Sequence, residues 1–161
     1  MSAPIQGLAT TDRSEAWRTV LRESAREVFS MMVGVTLEDA EPSESTPGGN
    51  IMSMIGLAGA ICGILTVRSG SAPASQFAAL MLGLDAKEAA LHGTDAIGEI
   101  CNMVAGTFKA KLGLEDKCML SVPTVITGDD YSTHSMMTEN RIEVLMSFQN
   151  QPLWFTLDVR N

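Results

Sequence analysis

Aromatic side chains are scarce in this chain: one tyrosine, two tryptophans and five phenylalanines in 161 residues. Eleven methionines stand against them and predict a core of adaptable rather than aromatic side chains. Histidine is scarcer still. His92 and His134 have no spacing that suggests a metal site or a triad, and both read as surface or loop residues. Cys62, Cys101 and Cys118 are odd in number and lack C-x-x-C spacing, which suits reduced, structural thiols in a cytosolic protein. Basic residues number 11 against 19 acidic ones, a net charge of −8. That balance argues against nucleic acid and anionic membrane as partners, since both need a basic stripe. There is no glycine-rich phosphate loop, cofactor motif or metal-ligand cluster, so a small-molecule sensor has little support.

Two further absences concern membranes. Residues 1–11 have neither a basic start nor an apolar core, so no secretory signal is expected there. Residues 51–67 carry no charge, but this run falls short of the ~20 apolar residues of a spanning helix. Gly56, Gly59 and Gly63 punctuate it. The reading is a buried hairpin of two strands, 51–57 and 60–67, covered on both faces and turning at Ala58-Gly59. A soluble protein is expected.

What is present suits one domain over residues 12–161 behind a flexible N-terminus, 1–11. Trp17, Val20, Leu21, Ala25, Val28, Phe29, Met32 and Val33 recur at helical spacing. Residues 38–50 are an acidic loop, too polar to pack. Residues 74–82 form a short helix stopped by Gly83, and Asp85 with Glu88 makes a capping box. Residues 119–127 read as a strand whose Pro123 marks an edge or bulge. A polar loop over 128–140 holds Tyr131 and His134. A closing hairpin, 141–149 and 152–159, turns at Asn150-Gln151.

The remaining segment is a helix of about 18 residues, with Thr94 as N-cap, Asp95 in its first turn and Gly113 as its stop. At about 100° per residue, Asp95, Glu99, Asn102 and Gly106 fall within an arc of roughly 60°. Ile97, Ile100, Cys101, Val104, Phe108 and Leu112 lie opposite, facing a core. Glu99 and Asn102, three residues apart, can reach one partner together. An ordinary solvated face would also give this pattern. A weak repeat adds to it: 27–34 (EVFSMMVG) matches 99–106 (EICNMVAG) at an offset of 72 residues, each copy ahead of a strand hairpin. The first copy has Ser30 where the second has Asn102. Two such halves predict a pseudo-two-fold α+β domain, with two long helices on one face of an antiparallel sheet.

The run 55–65 (IGLAGAICGIL), the helix end Met81-Leu82-Gly83, the series Asp95…Gly98-Glu99…Asn102-Met103…Ala105-Gly106 and the stretch 123–128 (PTVITG) follow in that order. Together they resemble the CheX branch of the CheC/CheX/FliY chemotaxis phosphatases, over roughly residues 15–159. The resemblance implies a cytoplasmic enzyme that dephosphorylates a CheY-like response regulator. It also implies one active helix per subunit and a homodimer formed through the sheets. Asn102 would orient the attacking water and Glu99 would pair with the receiver's lysine. Asp95 either contacts the partner or serves the helix N-terminus. Gly106 either lets two backbones approach or packs against the sheet. No cofactor of its own is implied; Mg2+ is expected in the response regulator. The competing reading is a non-catalytic adaptor that docks on a response regulator or a flagellar-switch protein. Two departures, Cys101 within the motif and Ala60 at the hairpin turn, touch none of the proposed chemistry.

Overall fold

The computed structural model describes residues 10–44, 46, 49–129 and 140–160. Most of the polar loop with Tyr131 and His134 lies outside them. The chain runs α1 (Thr10–Val28), a π-helical turn (Phe29–Val33), β1 (Glu38–Asp39), β2 (Ile51–Gly59), β3 (Cys62–Ser69) and α2 (Ser71–Leu82). It continues through α3 (Ala86–Ala89), α4 (Gly93–Lys111), β4 (Cys118–Leu120), β5 (Thr124–Thr127), β6 (Asn140–Phe148) and β7 (Gln151–Arg160). The fold is α+β, as the repeat predicts.

Among the described residues seven antiparallel strands form one sheet in the order β1-β6-β7-β3-β2-β4, with β5 continuing β4 along β2. This order is symmetric about the β3–β7 seam. Exchanging the halves maps β2 onto β6, β3 onto β7, and β1 onto the β4–β5 edge. Each half thereby lends its first strand to the other half's hairpin, which locks the two copies together. The sheet buries one face under α1, α2 and α4. Ile55, Leu57, Leu65, Val67, Ile142, Val144, Phe155 and Leu157 supply its core side.

Several expectations change. The core centre is aromatic after all: every phenylalanine is buried, and Phe29, Phe77, Phe148 and Phe155 meet with ring centroids 4.7–6.4 Å apart. Few residues suffice because each ring covers so much surface. Met31 and Met32 are exposed instead, since the last turn of the first helix widens to a π turn, with the Gly34 N–H donating to the Phe29 carbonyl at 2.9 Å. That widening turns Met32 off the buried stripe.

Glu38 and Asp39 join the sheet edge rather than a loop, pairing with Ser147 and Met146. Arg22 and Arg26 reach Asp39 at 3.1 and 2.8 Å, which makes that placement electrostatically acceptable. The first hairpin turns at Ala60-Ile61 because the Ala60 N–H donates to the Lys117 carbonyl at 2.8 Å. Helices cover only one face of that hairpin: on the other, Met52 is buried but Met54, Gly56, Ile64 and Thr66 are half-buried. Cys62, at its tip, is exposed. The last hairpin turns at Gln149-Asn150, both with positive φ (48° and 64°), the twist that two-residue hairpins favour. Pro123 breaks the 119–127 strand into β4 and β5, as its missing N–H requires. No helix among the described residues is long and apolar enough to cross a membrane.

Candidate active site

α4 is positioned from both ends. It begins at Gly93, one residue before the expected Thr94 cap, because the turn after α3 runs straight into it and the His92 carbonyl accepts from the Ala96 N–H. Gly93 lies against α2, where a Cβ would meet the Ser75 nitrogen at 3.4 Å. At the other end Gly113 adopts φ +68°, and the Lys109 ammonium donates to the Glu115 and Cys118 carbonyls at 3.1 and 2.8 Å. Ile97, Ile100, Cys101, Val104 and Phe108 are fully buried beneath. Cys101 donates to the Ser53 carbonyl at 3.6 Å, and burial pushes its thiol up to about 11, so it stays protonated and inert.

On the opposite side the structure brings together what the periodicity predicts. Asp95, Glu99 and Asn102 are exposed and Gly106 is half-exposed. Among the described residues, neither the Glu99 carboxylate nor the Asn102 amide makes a hydrogen bond or ion pair. Gly106 opens onto space: a Cβ there would meet nothing within 4 Å, so packing against the sheet is not its role. Asp95 is 3.6 Å from His92 Nδ1, a contact that is ionic only when the imidazole is protonated. The ridge thus offers an acid, a donor–acceptor amide one turn on, and a clear approach. Among the described residues no group of three or more His, Cys, Asp or Glu could hold a metal.

The first copy of the motif is differently placed. Glu27 is held by Lys111 of α4 at 2.7 Å, and Ser30 lies within the π turn. Its acid is engaged within the chain, and the two helices are clasped by it. The sequence could not reveal this, because residues 27 and 111 meet only in the folded chain. Gly98 marks a second contact of that kind: a Cβ there would be 3.4 Å from Val125 Cγ2, so β5 lies close beside α4 at this point.

A family model described as chemotaxis phosphatase CheX matches residues 51–147. Among solved structures, the fold is similar to the chemotaxis protein CheX of Vibrio vulnificus, at TM-score 0.74 and 21% identity, covering 99% of this chain and 100% of that one. A putative chemotaxis protein from Desulfovibrio vulgaris Hildenborough is similar at TM-score 0.77 and 20% identity, covering 90% and 97%. So is the structure of a CheX-CheY-BeF3-Mg+2 complex from Borrelia burgdorferi, at TM-score 0.71 and 18% identity, covering 90% and 98%. No curated protein matches the chain.

Proposed function

The chain belongs to the chemotaxis phosphatase CheX family, and we propose that it hydrolyses the aspartyl phosphate of a CheY-like response regulator in the cytoplasm. The observation that carries this reading is the exposed, unengaged pair of Glu99 and Asn102 on one turn of α4. An aspartyl phosphate in a receiver domain already has a lysine beside it, and the Mg2+ of that centre belongs to the receiver. What it lacks is a well-placed water. Phosphoryl transfer asks mainly for positioning and charge stabilisation, so a single amide can complete the centre. Asn102 accepts from and donates to that water without acting as a base. Glu99 pairs with the receiver lysine and seats the helix in register. Asp95, one turn earlier, adds negative charge toward the same partner, and Gly106 admits its backbone.

The test is the lifetime of a phosphorylated CheY-like receiver with and without the chain. Wild type shortens it. Glu99→Ala weakens both binding and rate, by roughly tenfold or more in kcat/KM, the scale of a lost charge-assisted contact. A chain that binds the phosphorylated receiver yet leaves its lifetime unchanged would be an adaptor instead.

The same reading includes a homodimer through the sheets. It is supported by the uncovered sheet face, where Met54, Ile64, Thr66, Trp154 and Thr156 stand half-buried on neighbouring strands. Ile64→Asp places a charge at its middle and is expected to yield monomers in sedimentation or light scattering. A wild-type chain that sediments as a monomer at micromolar concentration would rule the dimer out.

A further inference from the structure

Beside the Glu99/Asn102 ridge runs a rigid kink of the sheet edge. Pro123 stops the pairing of this edge with β2, leaving residues 121–123 between β4 and β5. Ser121 pins the gap: its N–H donates to the Gly56 carbonyl at 2.9 Å, and its hydroxyl accepts from the Gly56 N–H at 2.8 Å. Gly56 and Ser121 lie close enough that a Cβ on Gly56 would be in van der Waals contact with the Ser121 hydroxyl, at 3.4 Å. The next residue, Val122, is 84% exposed, the most exposed large apolar side chain among the described residues. Single exposed apolar residues are common and mean nothing by themselves. Here the position matters.

Two contacts fix how the edge lies along α4. Gly98 meets Val125, and Lys109 reaches the Cys118 carbonyl, so helix and edge run in opposite directions side by side. Asn102 lies four residues beyond Gly98, a rise of about 6 Å. Stepping about 6.6 Å back along the edge from Val125 covers two extended residues and reaches Pro123, next to Val122. On the helix surface Asn102 is turned only about 40° from Gly98, which faces this edge, whereas Glu99 is turned about 100° in the same sense, so of the two Asn102 lies nearer the edge. These steps bring the 122–123 stretch of the edge level with Asn102, on the side of the helix nearer that amide than Glu99.

We infer that Val122 is a docking residue of the phosphatase site, an apolar contact for the receiver surface that surrounds the phosphorylated aspartate. This rests on the reading of Glu99 and Asn102 given above and adds a second side to the ridge. The charged and polar groups of α4 choose the phosphoryl centre, and Val122, on a backbone held by two hydrogen bonds to Gly56, fixes the angle at which the receiver meets it. A buried apolar contact at the centre of an interface carries binding energy out of proportion to its area.

The experiment is steady-state phosphate release from a CheY-like receiver phosphorylated with acetyl phosphate, together with binding of the beryllofluoride-activated receiver. Val122→Asp is expected to raise KM and Kd about tenfold, the scale of one interface hot spot, with kcat within about twofold. Val122→Leu is expected to keep both near wild type. Because the side chain is exposed, the melting temperature of both variants should match wild type. A Val122→Asp protein with wild-type KM and Kd would overturn the inference. Asn102→Ala, run alongside, separates the two readings. If it loses rate while Val122→Asp does not lose affinity, only the docking role is wrong; if it keeps full rate, the active site itself is misassigned.

Discussion

Asn102→Ala is expected to slow dephosphorylation of the receiver about 10²-fold, the scale of lost positioning of a reacting group, while leaving the fold untouched. The side chain is exposed and makes no hydrogen bond among the described residues, so nothing among them depends on it. Alanine is also the better helix former, by a few tenths of a kcal/mol, so α4 should be no weaker. The loss therefore falls on kcat, with receiver binding largely kept through Glu99. Asn102→Asp sharpens the point. It keeps the shape but replaces an N–H donor with a second carboxylate oxygen, which suits a general base and not a water-orienting amide. Single-turnover decay of the phosphorylated receiver distinguishes them. An Asp variant as fast as wild type would mean that base catalysis, rather than orientation, drives the reaction.

The ridge was legible because it needs only local information. Four positions within one helix share a face whatever the rest of the fold does, and the buried set from Ile97 to Phe108 marks the opposite side. The pseudo-symmetric sheet was legible for a similar reason, through two matched segments each followed by a hairpin. What escaped the sequence depends on contacts between distant residues. The strand at Glu38–Asp39 is two residues long and carries only acids, so no periodicity could reveal it; its place is set by β6 and by arginines of α1. The first hairpin turn lies at Ala60-Ile61 because the Lys117 carbonyl accepts from Ala60. The π turn at Phe29–Val33 holds the first motif copy, which reads in sequence as an ordinary helix end. Whether that copy could act was hidden too, since the partner of Glu27 is Lys111.

The same substitution at two glycines is expected to move stability in opposite directions. Gly63 lies on β3 at the central seam, paired with Val159 of β7. A Cβ there would sit 2.4 Å from the Asp158 carbonyl oxygen and 3.3 Å from the Val159 Cα. Both are backbone atoms of a strand held on its other side by β6, so neither can give way without parting the two halves of the sheet. Gly63→Ala is therefore expected to cost about 3 kcal/mol, the upper range for overpacking a close-packed interior. For a domain of this size that lowers the melting temperature by roughly 6–12 °C. Gly106 sits inside α4 with nothing within 4 Å of its missing Cβ. Gly106→Ala is expected to stabilise by about 1 kcal/mol, the ordinary gain for removing a glycine from a helix interior, and to raise the melting temperature by roughly 2–4 °C. A glycine that weakens a helix, where an added Cβ would touch nothing among the described residues, makes sense if the space belongs to a partner. The stabilised Gly106→Ala protein should accordingly bind the activated receiver less tightly than wild type. Thermal melts and receiver titrations of the two variants check both halves: a Gly63→Ala protein as stable as wild type would contradict the close seam, and a Gly106→Ala protein of undiminished affinity would remove Gly106 from the docking surface.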